Sequence, residues 1–97
     1  MLTFEKILFG FRDYLAQDTM YEILMTSHGC TVMEWDDKAQ DWDSARICHT
    51  PEDLKEILLN AYAGYLAYKV THGRRSMTDN ERREIKTQVD AMDKRIQ

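Results

Sequence analysis

Met20-Tyr21-Glu22-Ile23-Leu24-Met25-Thr26-Ser27-His28-Gly29-Cys30-Thr31-Val32-Met33-Glu34-Trp35-Asp36 decides the fold. Tyr21, Ile23 and Met25 alternate with Met20, Glu22 and Leu24, the period of a strand whose successive side chains point to opposite faces. Residues 30–36 repeat that period, with Thr31, Met33 and Trp35 on one face and Cys30, Val32 and Glu34 on the other. Ser27-His28-Gly29 between the two runs supplies a turn, and Gly29 can take a positive φ without strain. The spacing predicts a β-hairpin over residues 20–36.

Working outward, Asp37-Lys38-Ala39-Gln40-Asp41 reads as a second turn. Trp42 to Cys48 reads as a third strand, with Trp42 and Ile47 its main apolar residues and poor alternation between them. Upstream, residues 3–16 predict one helix: Thr3 caps it, and Phe4, Ile7, Leu8, Phe11 and Leu15 recur on one face. Phe9 and Tyr14 fall off that stripe. Downstream, Thr50-Pro51-Glu52-Asp53 is a helix start, with a hydroxyl cap, a proline at the first helical position and acids at the positive dipole end. That helix should run to about residue 71 or 72, stopped by Gly73. Gly64 in its middle is read as allowing close packing. Thr78-Asp79-Asn80-Glu81 is a capping box for a last helix, whose sparse stripe is Ile85, Val89, Met92 and Ile96. The expected architecture is α+β in the order α-β-β-β-α-α. It is a three-stranded antiparallel meander packed against helices, one domain over residues 1–97.

The chain of 97 residues is 43% hydrophobic and 31% charged, within the globular range. No apolar run approaches the roughly 18–20 residues of a membrane span. Met1-Leu2-Thr3-Phe4-Glu5-Lys6 lacks the basic head and apolar stretch of a signal peptide, so a cytoplasmic domain is expected, with no role at a membrane. The net charge of −4 conceals an imbalance: residues 1–53 carry −7 and residues 54–97 carry +3. Such asymmetry bears on partners rather than on fold.

Catalytic signatures are missing. There is no glycine-rich phosphate loop, Gly-x-Ser-x-Gly elbow or His-Glu-x-x-His pair, and the expectation is a non-enzyme without cofactor. His28, Cys30, Cys48 and His49 come nearest to a zinc set. Neighbouring strand residues point apart, however, so Cys48 and His49 cannot both ligate from a regular strand, and no metal is expected. Two cysteines in a reducing compartment default to free thiols.

Glu34-Trp35-Asp36-Asp37-Lys38-Ala39-Gln40-Asp41-Trp42-Asp43 brings five carboxylates and two tryptophans around one turn. Its carboxylates could hold a hard cation, could imitate phosphates in the basic groove of a larger protein, or could surround a tryptophan anchor at an interface. Absence of the Asp-x-Asp-x-Asp-Gly calcium pattern disfavours the first of these. The plainer alternative is a solvated loop with both tryptophans turned into the core. The expected partner site is Glu34, Trp35, Asp36, Asp37, Asp41, Trp42 and Asp43. The alternative is direct nucleic-acid binding through Lys69, Arg74, Arg75, Arg82, Arg83 and Lys86, tempered by the interleaved Asp79, Glu81 and Glu84. A homodimer is a third reading, built on the Ile85–Ile96 stripe or on the basic segment docking against the acidic turn of another copy.

Thr3-Phe4-Glu5-Lys6, Phe11-Arg12-Asp13-Tyr14-Leu15, Met25-Thr26-Ser27-His28-Gly29 and Val32-Met33-Glu34-Trp35-Asp36 resemble stretches of small proteins from mobile genetic elements of gut bacteria. The resemblance covers most of the chain and assigns no residue a role. Such elements encode inhibitors of host defence, anti-CRISPR proteins among them. It therefore implies a protein-binding inhibitor, with a CRISPR effector nuclease as the kind of target.

Overall fold

The computed structural model describes residues 1–96. Element order is α1 (Phe4–Gly10), α2 (Arg12–Gln17), β1 (Tyr21–Thr26), β2 (Gly29–Asp36), β3 (Asp41–Cys48), α3 (Pro51–Thr71) and α4 (Asp79–Ile96). The strands form one antiparallel sheet in the order β1-β2-β3, so the α+β meander expected from the hairpin is what the chain builds.

Helix starts follow their caps. Thr3 Oγ1 accepts the Lys6 amide at 3.1 Å and Thr50 Oγ1 accepts the Asp53 amide at 3.2 Å. The Thr78–Glu81 box closes reciprocally, at 2.9 Å from the Thr78 amide to Glu81 Oε1 and 3.2 Å from the Glu81 amide to Thr78 Oγ1. Helix α3 ends on His72 at φ 53°, followed by Gly73 at φ 70°.

The first helix departs from expectation. Residues 3–16 do not form one rod, because Phe11 takes φ −96°, ψ 5° and divides it into α1 and α2. Phe11 and Tyr14 both turn inward, and Tyr14, expected off the stripe, is buried because it shares a face with Ile7 and Phe11 at steps of four and three. Phe11 and Tyr14 then stack edge-on with each other and with Tyr62 of α3.

One face of the sheet closes the core. Cys30, Val32 and Cys48 pack there against Ile7 and Phe11 from the first helices and Leu54 and Leu58 from α3. Met92 and Ile96 of α4 complete the cluster, and Ile85 is buried too. Most of the stripe on α4, Ile85, Met92 and Ile96, is therefore covered within the chain. Lys55 and Asp93 tie α3 to α4 at 2.6 Å.

The register fixes what lies on the other sheet face. Thr31 is paired with both Leu24 and Ile47, and Met33 with both Glu22 and Ala45. These rows stand opposite the core rows Ile23–Val32–Arg46 and Met25–Cys30–Cys48. All the helix contacts of the core lie on the latter side. The molecule measures 42 × 36 × 18 Å, a thickness that fits one layer of sheet and one of helix.

Candidate functional site

A bulge sits in the β2–β3 ladder at Glu34/Trp35, so that Glu34 pairs with Ser44 but Trp35 pairs with Trp42. Asp43 is the extra residue, and it switches the face on which the start of β3 projects. Without it Trp42 would follow Ser44 and Arg46 to the core side. With it Trp42 joins Trp35 on the open side, where the rings meet edge-on at 5.1 Å. Met20 lies beside them, its carbonyl accepting the Trp35 amide at 2.7 Å. The open face thus carries three mixed rows, Leu24–Thr31–Ile47, Glu22–Met33–Ala45 and Met20–Trp35–Trp42, in which most side chains are apolar. Leu24 is 47% exposed, Ile47 55% and Trp42 39%. The reading that turned both tryptophans into the core is corrected by the bulge.

The acidic turn lies at that same end. Asp36 Oδ1 accepts the amides of Lys38 and Ala39, at 3.0 and 3.2 Å, and shapes the turn. Asp37 Oδ1 accepts from Gln40 Nε2 at 3.3 Å and from Trp35 Nε1 at 3.4 Å, and Asp41 Oδ1 accepts the Trp42 amide at 2.8 Å. Every one of these donors is neutral. Among the described residues none of the turn's carboxylates enters a salt bridge, so the turn keeps its negative charge.

Glu34 does not belong to this group. Its register places it with Tyr21 and Ser44 on the core side, where Tyr21 Oη donates to Glu34 Oε1 at 3.5 Å. There it lines a slot between the sheet and the middle of α3. The slot consists of two adjoining hollows of about 290 and 510 Å³ that share Tyr21, Glu34, Asn60 and Ala61. Gly64 faces the larger hollow and has nothing within 4 Å of where a Cβ would stand. Close packing therefore does not explain this glycine, which costs a helix about 1 kcal/mol relative to alanine. Burial, with Glu34 next, raises the Tyr21 phenol above its ordinary pKa. Tyr14 is raised further by burial and by its 2.6 Å bond to Asp18 Oδ2. The slot had no signal in the sequence, because its walls come from β1, β2 and α3 together.

The basic segment is brought together, and three of its six cations are paired with acids. Arg75 donates to both oxygens of Glu81 at 2.8 Å and to the Val70 carbonyl at 3.1 Å, buckling the end of α3 to the start of α4. Arg82 pairs with Asp79 at 3.0 Å and Lys86 with Asp90 at 3.2 Å. Arg83 reaches Asn80 at 3.5 Å, and Lys69 Nζ lies 5.4 Å from the Tyr65 ring centroid. Arg74 alone of the six has no such partner among the described residues, and a phosphate backbone would have to displace Arg75, Arg82 and Lys86 from their acids.

The Arg75 buckle carries a pH signature. Arg75, followed by the Thr78 amide, lowers the Glu81 carboxyl from 4.5 to about 2. A depressed carboxyl stabilises above its ordinary pKa and loses that contribution as pH falls through its folded value. The first turn of α4 is expected to fray between about pH 4.5 and 2. Backbone 13Cα shifts of residues 79–83 should follow that window, and Glu81→Gln should remove the dependence. Fraying that persists unchanged in that variant would show another group to be responsible.

Cys30 and Cys48 are register partners, both fully buried and both free. Burial raises each thiol above its ordinary pKa, and Cys30 Sγ donates to Met25 Sδ at 2.8 Å. His28 and His49 are exposed, away from the thiols' buried side. No group of three or more metal-ligating side chains occurs among the described residues, and no helix among them is long and apolar enough to cross a membrane. Comparisons with protein families, with curated proteins and with solved structures find no match.

Proposed function

We propose that the chain is a protein-binding inhibitor or adaptor that docks through the open face of its sheet. The observation that carries this reading is the Trp35–Trp42 pair, which stands on an apolar face without helices and beside uncompensated carboxylates. Aromatic anchors ringed by polar groups dominate interface energetics. Contiguous apolar surface of this kind marks interaction sites. The acidic rim, Asp36, Asp37, Asp41 and Asp43, selects a partner whose apolar centre is bordered by bases. A larger protein with a basic nucleic-acid groove meets that description, and the resemblance to mobile-element proteins adds a CRISPR effector nuclease as the target to try first.

Affinity capture from the native host, with quantitative mass spectrometry, tests the reading. The partner should be retained by the wild-type chain and lost, by at least about tenfold, from Asp37→Lys/Asp43→Lys and from Trp42→Ala; tenfold corresponds to about 1.4 kcal/mol. Asp36 stays unchanged in these variants because it holds the turn. Equal capture by all three proteins would overturn the assignment. A salt-sensitive gel shift that requires Arg74 and Arg83 would favour nucleic acid instead.

A further inference from the structure

The slot between the sheet and α3 lies on the side of the sheet away from the open face. Asp18 is only 8% exposed and lines this slot, yet it forms no salt bridge among the described residues. Its oxygens accept from the Tyr14 hydroxyl at 2.6 Å and the Met20 amide at 3.2 Å, both neutral donors. Carboxylates withdrawn from water are normally paired with positive charge. Glu34 adds a second carboxylate at the mouth, also in no salt bridge among the described residues. Tyr21 and Tyr68 line the same hollow, which is bordered by no lysine or arginine. Arg46 borders only the adjoining, smaller one. Gly64, itself exposed, leaves the α3 side of the hollow without a side chain, at a cost to its own helix.

We propose that this slot receives an arginine side chain presented by a partner protein. Charge selects a cation. Aromatic walls favour the flat guanidinium, which stacks on rings and bonds carboxylates through its fork of N–H donors, over the compact, strongly hydrated ammonium of lysine.

Amide chemical shifts of the full chain, titrated with N-acetyl-arginine methylamide, test this. A dissociation constant on the order of 1 mM is what a ligand of that size reaches. Saturating shifts are expected at Tyr21, Asn60, Ala61 and Gly64. The neutral isostere N-acetyl-citrulline methylamide should bind at least about tenfold more weakly, since only the charge-assisted bonds are removed. Gly64→Leu should abolish binding by placing a side chain in the hollow while leaving the remaining amide spectrum folded. Asp18→Asn, which keeps an acceptor for Tyr14, should weaken binding by about tenfold through loss of charge. Equal binding of citrulline, unchanged binding in Gly64→Leu, or shifts confined to the acidic turn would each overturn the proposal. These readouts use the small probe and the Gly64 variant, whereas docking through the open face is read on partner capture by the Asp37 and Trp42 variants. One can therefore fail without the other.

Discussion

Phe11→Ala is expected to lower the unfolding free energy by about 3–5 kcal/mol, the range for deleting a buried aromatic ring. Phe11 is fully buried and meets Tyr14 and Tyr62 edge-on. It is also the residue at which α1 gives way to α2. Removing the ring therefore leaves a cavity at the junction of the first helices and α3. A domain of this size holds about 5–15 kcal/mol in total, so the loss is a large share of stability. Urea unfolding should show the midpoint falling with the slope unchanged. Phe11→Leu keeps an apolar side chain and should cost under about 2 kcal/mol. A loss below about 1 kcal/mol for the alanine variant would show that the kinked junction does not anchor the core.

Gly29→Ala should be comparably damaging, for backbone rather than packing reasons. Gly29 opens β2 at φ 121°, a conformation that residues with a Cβ rarely adopt. A Cβ there would also run into the Cys48 carbonyl oxygen on β3. Backbone carbonyls in a ladder cannot swing aside as a side-chain tip can, so strain and clash add. We expect a cost of at least about 3 kcal/mol, combining a forbidden φ with displaced strands. The damage should centre on the Met25–Cys30–Cys48 row, seen as lost amide protection at the Gly29 end of the sheet. A variant with a wild-type urea midpoint would contradict this geometry.

These two positions show different degrees of legibility. Gly29 stood out locally, as the glycine of a turn between alternating runs. Phe11 lay on a legible stripe, but its role as a break did not show. Nothing in residues 3–16 forbids a continuous helix, and Gly10 is only a mild interruption. Phe11 and Tyr14 share a helical face and meet Tyr62 of α3, a tertiary contact that no local signal in these residues records.

The third strand makes the same point at the site. Its alternation looks poor because Trp42 and Ile47 differ by an odd number of residues, so a regular strand puts them on opposite faces. The bulge adds one residue and returns both to the same face. A bulge is a relation between two strands, and no single segment records it. Glu34, adjacent to Trp35 in sequence and grouped with it by composition, consequently lies on the opposite side of the sheet.

Charge was legible as a sum but not as a disposition. The acidic half and the basic segment can be counted from the residues, yet only proximity decides which charges cancel. Arg82 and Lys86 find acids within one turn of α4, and Arg75 finds Glu81 six residues on, across the α3–α4 connection. The carboxylates of the β2–β3 turn find only neutral donors.

Sequence by itself determined the hairpin over residues 20–36, the meander, the helix caps at Thr3, Thr50 and Thr78, and the α+β class. Each rests on periodicity or on hydrogen bonds between residues a few positions apart. Tertiary structure alone decided the kink at Phe11, the shared face of Trp35 and Trp42, the covering of the α4 stripe and the slot beneath Gly64. Each depends on which faces of distant segments meet, and burial, which chooses those faces, is a property of the assembled layers and not of any one of them.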